Sequence, residues 1–324
     1  MVSSARRSPA LVGFTFVGAA AILWGSSAAA VRAFGEETGA AGAVAAFAEA
    51  VVAAPLLLVT ASLGRRPWPP AREALPAAAI TGGLVSGFLL SYFTAIGIVG
   101  VTLSSLVAIC SAPMFTAVLA AIFLRERPST PMLVALALGV AGTALVLLGQ
   151  DASGIGADGA GRTGGVLLAL TAGFCFGAEN VVIRRLMTRF DPTQLAALTT
   201  CAMIVLLAPF GLAAGHVVRS SIDGWPWLLY LAVFPTALAP ALHNAGLHRV
   251  HATPAAIVGL LEPPTAALLG LLVFEERIGV AGVGGALLLL TGIAIVSSSQ
   301  REEEAVAGPA WAPASAGPAE LQAR

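Results

Sequence analysis

The chain has no lysine: all seventeen basic residues among its 324 are arginines. That absence removes the P-loop lysine, the Schiff-base lysine and the lysine general base together, which argues against ATP hydrolysis by this chain alone. Charge of either sign is scarce. Charged residues make up 10% and hydrophobic residues 57% of the sequence, whereas a soluble domain carries roughly a quarter charged. So few charges cannot cover a water-exposed surface, and the chain reads as an integral membrane protein. The net charge is zero, which argues against a nucleic-acid partner, since that would need a basic face. Cysteine is almost absent. Cys110, Cys175 and Cys201 are scattered through apolar runs, a pattern of neither a disulfide framework nor a zinc site, and they read as small buried hydrophobes.

What is present is apolar sequence in lengths that match a bilayer. Runs fall at about 11–33, 41–63, 74–97, 102–124, 131–149, 164–186, 193–214, 226–247, 253–274 and 280–298, each about the twenty residues a spanning helix needs. The expected fold is all-α with ten transmembrane helices. The separators carry turn chemistry: Arg65-Arg66-Pro67-Trp68-Pro69-Pro70, Arg125-Glu126-Arg127-Pro128 and the glycine-rich Asp151 to Arg162. The first run, preceded by Arg6-Arg7, imitates a cleaved signal peptide. It is read as a span instead, because it has a partner later in the chain.

That partner belongs to an internal repeat. A shift of 150 residues sets Pro113 on Pro263, Ala117 on Ala267, Leu119 on Leu269, Glu126-Arg127 on Glu276-Arg277, Leu138 on Leu288, Gly142 on Gly292 and Val146 on Val296. A shift of 152 sets Gly25 on Gly177 and Arg32 on Arg184. Five spans per copy is an odd number, so the second copy must enter the membrane upside down, as in many secondary transporters. The organisation read from this is a cytoplasmic N-terminus at 1–10, one five-helix repeat at 11–149, a linker at 150–163, a second repeat at 164–298 and a disordered cytoplasmic tail at 299–324. With the N-terminus inside, thirteen arginines fall on inner segments and only Arg32, Arg162, Arg219 and Arg277 on outer ones. That positive-inside bias puts both termini in the cytoplasm of a prokaryotic plasma membrane.

The run centred on Glu262-Pro263-Pro264 carries the most chemistry. An ionisable group at membrane depth is costly and by default marks a pathway or a binding site. The prolines free backbone carbonyls and bend the helix, making a cavity wall. Glu262 is therefore read either as a proton-coupling or substrate-amine site, or as a structural acid bonded to a freed carbonyl. Glu179-Asn180 sit deep in the sixth run, and Glu179 can pair with a cationic substrate group or with Arg184. His243-Asn244 follow Pro235 and Pro240 in the eighth run, where a histidine can shuttle protons or simply fill the core. Glu49 interrupts the second run without a local partner. Trp24, Tyr92 and Ser111 are candidate cavity-lining groups, and Pro113, Pro263 and Pro264 candidate helix breaks for gating. Glu126 and Glu276 close the two equivalent hairpins and read as structural acids. No catalytic residue and no cofactor is expected. His243, His248 and His251 do not share one helical face, so no metal site is expected either. Gly83-Gly87 and Gly173-Gly177 have the small-xxx-small spacing of close helix packing.

The sequence resembles the EamA-type transporters of the drug/metabolite transporter superfamily. The resemblance rests on Leu23-Trp24-Gly25-Ser26, on Pro113 through Leu124-Arg125-Glu126, on Glu262-Pro263 through Phe274-Glu275-Glu276, and on Thr291-Gly292-Ile293. It covers about 11–298 as two copies. It implies ten helices around a central cavity and export or exchange of small metabolites, amino acids or drugs. Many relatives carry an arginine in the second span where this chain reads Phe47-Ala48-Glu49-Ala50, so a substrate inferred by analogy does not transfer directly. The leading expectation is a secondary transporter that moves a small metabolite by alternating access, with proton coupling as one reading of Glu262. Multidrug efflux is the alternative within transport, and the 6% aromatic content leans away from it. A membrane-embedded enzyme would need a nucleophile–base pair or metal ligands, and neither a Gly-x-Ser-x-Gly elbow nor a His-Glu-x-x-His helix is present. A scaffold without flux is a third option. Substrate, coupling ion and oligomeric state are left open by the sequence.

Overall fold

A computed structural model describes residues 9–64, 66–123, 130, 133–134, 137–139, 141–142, 145, 159–186, 189–247, 258, 261–276 and 279–307. The described residues form helices and no strands. Six helices are long and apolar enough to cross a membrane. The first two are α1 (Pro9–Thr38) and α2 (Gly42–Leu63). They are joined by a tight turn in which Gly39 has φ 68°, a left-handed conformation that glycine adopts without strain. Gly42 then lies so close to α3 that a Cβ there would stand 2.6 Å from the Phe93 carbonyl carbon.

The third and fourth runs come as one element, α3 (Ala71–Phe123), broken at a single residue. Gly100 has φ 86° and ψ 172°, a region open essentially to glycine alone. The sequence places a loop between 97 and 102, and the structure compresses it to this one glycine. Across the break Tyr92 and Ser105 share a hydroxyl hydrogen bond of 2.6 Å. Most of the fifth run, and Glu126 in the separator before it, lie outside the described residues. So does the stretch 151–158 of the linker.

Next come α4 (Gly159–Leu186) and α5 (Pro192–Ala213). Asp191 caps α5: its Oδ1 accepts from the Thr193 amide at 3.0 Å, the Gln194 amide at 3.4 Å and the Thr193 hydroxyl at 2.5 Å. The Thr193 hydroxyl above all, then these amides and the Arg66 guanidinium, hold the Asp191 carboxyl below its ordinary range. Gln194 ties the preceding segment down by donating from Nε2 to the Arg66 carbonyl at 2.9 Å. A short helix α6 (Val217–Asp223) leads into α7 (Trp225–Leu231), a π-helical stretch (Ala232–Leu238) and α8 (Ala239–Leu247). The eighth run is thus continuous but changes register at Pro235. Finally come α9 (Glu262–Val273) and α10 (Val280–Ala307). Helix α10 carries Arg301 to Glu304 and extends past Gln300; 308–324 lie outside the described residues.

The core lies where α1, α2, α3 and α4 meet, around Phe34, Ile96, Val101, Val107 and Val166, all fully buried. Helix α3 packs most extensively on α4, α2 on α5, and α1 on both α8 and α9. Two close approaches in this packing correspond to each other. A Cβ at Gly25 in α1 would stand 2.5 Å from the Glu262 carbonyl oxygen of α9. A Cβ at Gly177 in α4 would stand 2.8 Å from the Ala112 carbonyl oxygen of α3. The shift that aligns Gly25 with Gly177 is 152, and Ala112 lies 150 residues before Glu262. In both places a glycine of one half touches the carbonyl just before a proline (Pro113 or Pro263) of the other.

Candidate functional site

Three consecutive residues of α1 organise the centre. Trp24 donates its indole N–H to the Pro235 carbonyl at 3.0 Å. Gly25 seats α1 on the first turn of α9, as above. Ser26 shares a 2.5 Å hydrogen bond with the Tyr230 hydroxyl. One turn of α1 therefore holds the span from Trp225 to Leu247 and the Glu262 helix together.

The need for Trp24 follows from two prolines. In a π-helix each carbonyl accepts from the amide five residues on, and the Ala239 amide duly donates to Phe234. The donor for Pro235 would be residue 240, which is proline and has no N–H. The Pro235 carbonyl is left over at membrane depth, where an unserved polar group is expensive. The Trp24 indole serves it.

Beside this bond lies the first acid. Glu49 keeps 6% of its surface exposed, and its Oε1 accepts from the Thr236 hydroxyl at 2.5 Å. Among the described residues its Oε2 is buried without a partner, as is Nδ1 of His243. Thr236 lies in the π-helical stretch and His243 in α8 of the same span. The His243 ring sits 5.3 Å from Trp24. Trp24, Glu49, Thr236 and His243 thus surround the π-helical stretch. The second acid, Glu262, heads α9. It is half-buried, and its carboxyl lies within electrostatic reach of Tyr92 and Cys110 of α3.

The other sequence candidates fall elsewhere. Glu179 is half-buried and interacts with Cys175 of its own helix, and Asn180 faces outward. Ser111 donates to the Ala108 carbonyl at 3.2 Å and packs against Gly173. Pro263 is buried and Pro264 exposed. The side chains of Pro113, Arg184 and Asn244 lie outside the described residues, as do Glu126, His248, His251 and Arg277. Glu276 reaches across the molecule. Its Oε1 pairs with Arg32 Nη1 and accepts from the Val101 amide at 2.7 Å, and its Oε2 accepts from the Thr102 amide at 2.8 Å. Among the described residues no group of three or more His, Cys, Asp or Glu side chains is placed to hold a metal ion. Thr236, Tyr230, Pro235 and Arg32 were not among the sequence candidates. Arg32 had a visible signal in its match to Arg184, and Pro235 in its place before His243.

The sequence profile of the EamA-like transporter family matches residues 11–148 and 163–298. The chain belongs to the EamA-like transporter family. It is a multi-pass membrane protein and a transporter by family. An uncharacterized transporter of Bacillus subtilis, YwfM, is 28% identical over 213 residues, 66% of this chain and 70% of that one. An uncharacterized transporter of Archaeoglobus fulgidus is 27% identical over 222 residues, 68% of this chain and 76% of its own. A crystal structure 22% identical in sequence superposes with a TM-score of 0.58, covering 92% of this chain and 99% of the other. That likeness concerns the fold. The EamA-like family match and the relatives named as transporters fit a non-enzymatic protein whose substrate is a small molecule.

Proposed function

We propose that this protein is a secondary transporter of the prokaryotic plasma membrane that exports or exchanges a small metabolite by alternating access. On this reading ten spans form two inverted five-helix repeats, with both termini in the cytoplasm. The observation that carries it is the paired contact of Gly25 with the Glu262 carbonyl and Gly177 with the Ala112 carbonyl. Two halves that exchange the same contact are related by a two-fold operation, and such a relation gives one fold two equivalent, opposite openings. The match of the family profile in two segments supports the same reading.

Substrate and coupling are assigned to the groups around the π-helical stretch and the start of α9. Glu49, His243 and Glu262 are polar groups at membrane depth, and a group that meets substrate or proton differently in the two states shifts their balance. Trp24 and Tyr92 supply the aromatic wall. Glu179 is a more peripheral candidate on its own helix.

The test is uptake into inside-out vesicles of a mixed radiolabelled panel of amino acids and metabolites, with and without an imposed proton gradient. Gradient-driven accumulation of one compound class is the expected result. Glu262→Gln, expressed at the normal level, is expected to abolish it. Equal flux with and without the gradient removes proton coupling, and no flux for any compound removes the transport mechanism.

A further inference from the structure

The Arg32–Glu276 contact joins more than two side chains. Arg32, near the C-terminal end of α1, pairs with Glu276 and with Glu36, at 2.8 Å for the latter, and its guanidinium lies 4.3 Å from the Phe274 ring centroid. Glu276 follows α9. The turn that delivers it has Glu275 at φ 52°, with the Phe274 and Glu276 amides both donating to the Gly270 carbonyl, at 3.3 and 3.1 Å. The carboxylate caps the two amides that follow the Gly100 break. Those amides start a new helical segment, whose first N–H groups have no partner within it. One carboxylate thus fastens α1, the break in α3 and the end of α9. Arg32 keeps 18% of its side-chain surface exposed and Glu276 8%. A recess of about 310 Å³ opens beside them, lined by Arg32, Glu36, Phe34, Phe93, Ile96 and Gly97. Solvent therefore reaches the Arg32 side of the contact.

We infer that Arg32, Glu276 and the Val101–Thr102 amides form the closed gate on the face of the molecule where α1 ends. This inference rests on the alternating-access reading above. A gate must close strongly and also let go. Three donors gathered on one carboxylate meet both needs, because each can be rehydrated when the helices part, which a fused apolar core cannot offer. The gate joins residues of the two sequence halves, as the Gly25–Glu262 contact does, and that contact has its counterpart at Gly177–Ala112.

The test reads opening without needing the substrate. Cys110 is fully buried in α3, on the segment that follows the Gly100 break. In a Cys175→Ala, Cys201→Ala background it is the single thiol, and its rate of modification by a membrane-impermeant maleimide is measured from each side of proteoliposomes. Arg32→Gln and Glu276→Gln are each expected to raise the rate at least tenfold from one and the same side, and Arg32→Lys by less than twofold. Gly270→Ala is an independent wedge, since its Cβ would stand 2.6 Å from Glu276 Oε2, and it is expected to act like Glu276→Gln. Unchanged labelling in Arg32→Gln, Glu276→Gln and Gly270→Ala, each eluting as a monodisperse folded protein, would overturn the gate and leave the transport reading intact. Raised labelling in vesicles that move no compound would keep the gate's opening and count against transport.

Discussion

Removing the Trp24 indole tests the local logic of the centre most directly. Trp24→Phe keeps an aromatic ring and deletes the donor to Pro235. Interhelical side-chain hydrogen bonds in membranes average about 0.6 kcal/mol with a maximum near 1.7. The Pro235 bond belongs at the upper end, because Pro240 cannot supply a replacement donor and a buried unserved carbonyl costs about 1–3 kcal/mol. The expected loss is therefore about 1–2 kcal/mol, read from equilibrium unfolding in mixed denaturing micelles. Lost ring volume contributes to the same figure, and a second substitution separates the two effects. Pro240→Ala restores an N–H to the helix, and whether the segment stays π-helical or relaxes to α-helix, the carbonyl gains a backbone donor. In that background Trp24→Phe is expected to cost about 1 kcal/mol less, while the ring-volume part cancels in the double-mutant cycle. A Trp24→Phe cost that is the same in both backgrounds would refute the account of why this tryptophan is there.

Thr236→Val strips Glu49 of its hydroxyl donor and is expected to destabilise by about 1–3 kcal/mol, whereas Thr236→Ser stays near wild type; equal effects in the same unfolding assay would count against the bond. Gly25→Ala and Gly177→Ala each push a Cβ into a neighbouring carbonyl, and overpacking of that kind costs about 1–3 kcal/mol. Gly83→Ala meets nothing within 4 Å and is expected to be neutral or stabilising by helix propensity, about 0.5–1 kcal/mol, so thermal unfolding of the three variants separates packing glycines from incidental ones. Asp191→Ala removes a helix cap worth about 0.5–2 kcal/mol, at the low end here because the site is solvated. The depressed Asp191 carboxyl means its contribution is complete above the ordinary aspartate value of about 3.9 and is lost as pH falls through the lower folded value. Asp191→Asn retains the cap and is expected to flatten that acid limb in unfolding measured from pH 3 to 7.

Six described helices are long and apolar enough to span a membrane, and the sequence showed them because the bilayer imposes length and hydropathy locally. The spans at 41–63, 164–186 and 193–214 appear as helices with ends within a few residues, since Pro, Gly and Asp chemistry sets those ends without reference to anything distant. The loop between the third and fourth spans was misjudged in size. One glycine in a rare backbone conformation does the work of a turn, and the distant Glu276 carboxylate and the Tyr92–Ser105 hydrogen bond support it. Glu49 and His243 were visible as anomalies in apolar runs, but nothing local tells that Glu49 meets Thr236 or that His243 lies beside Trp24. Those contacts span 187 and 219 positions and exist because α2 packs against the π-helical stretch and α1 against α8.

By itself the sequence determined the solvent, the helical class and the family, because each depends on composition, periodicity or motifs along the chain. The tertiary structure alone decided which carbonyl Trp24 serves and which helix Glu276 caps. A side chain's partner depends on how helices are placed in space, and apolar helices in a bilayer carry little in their own sequence that says which neighbour they will face.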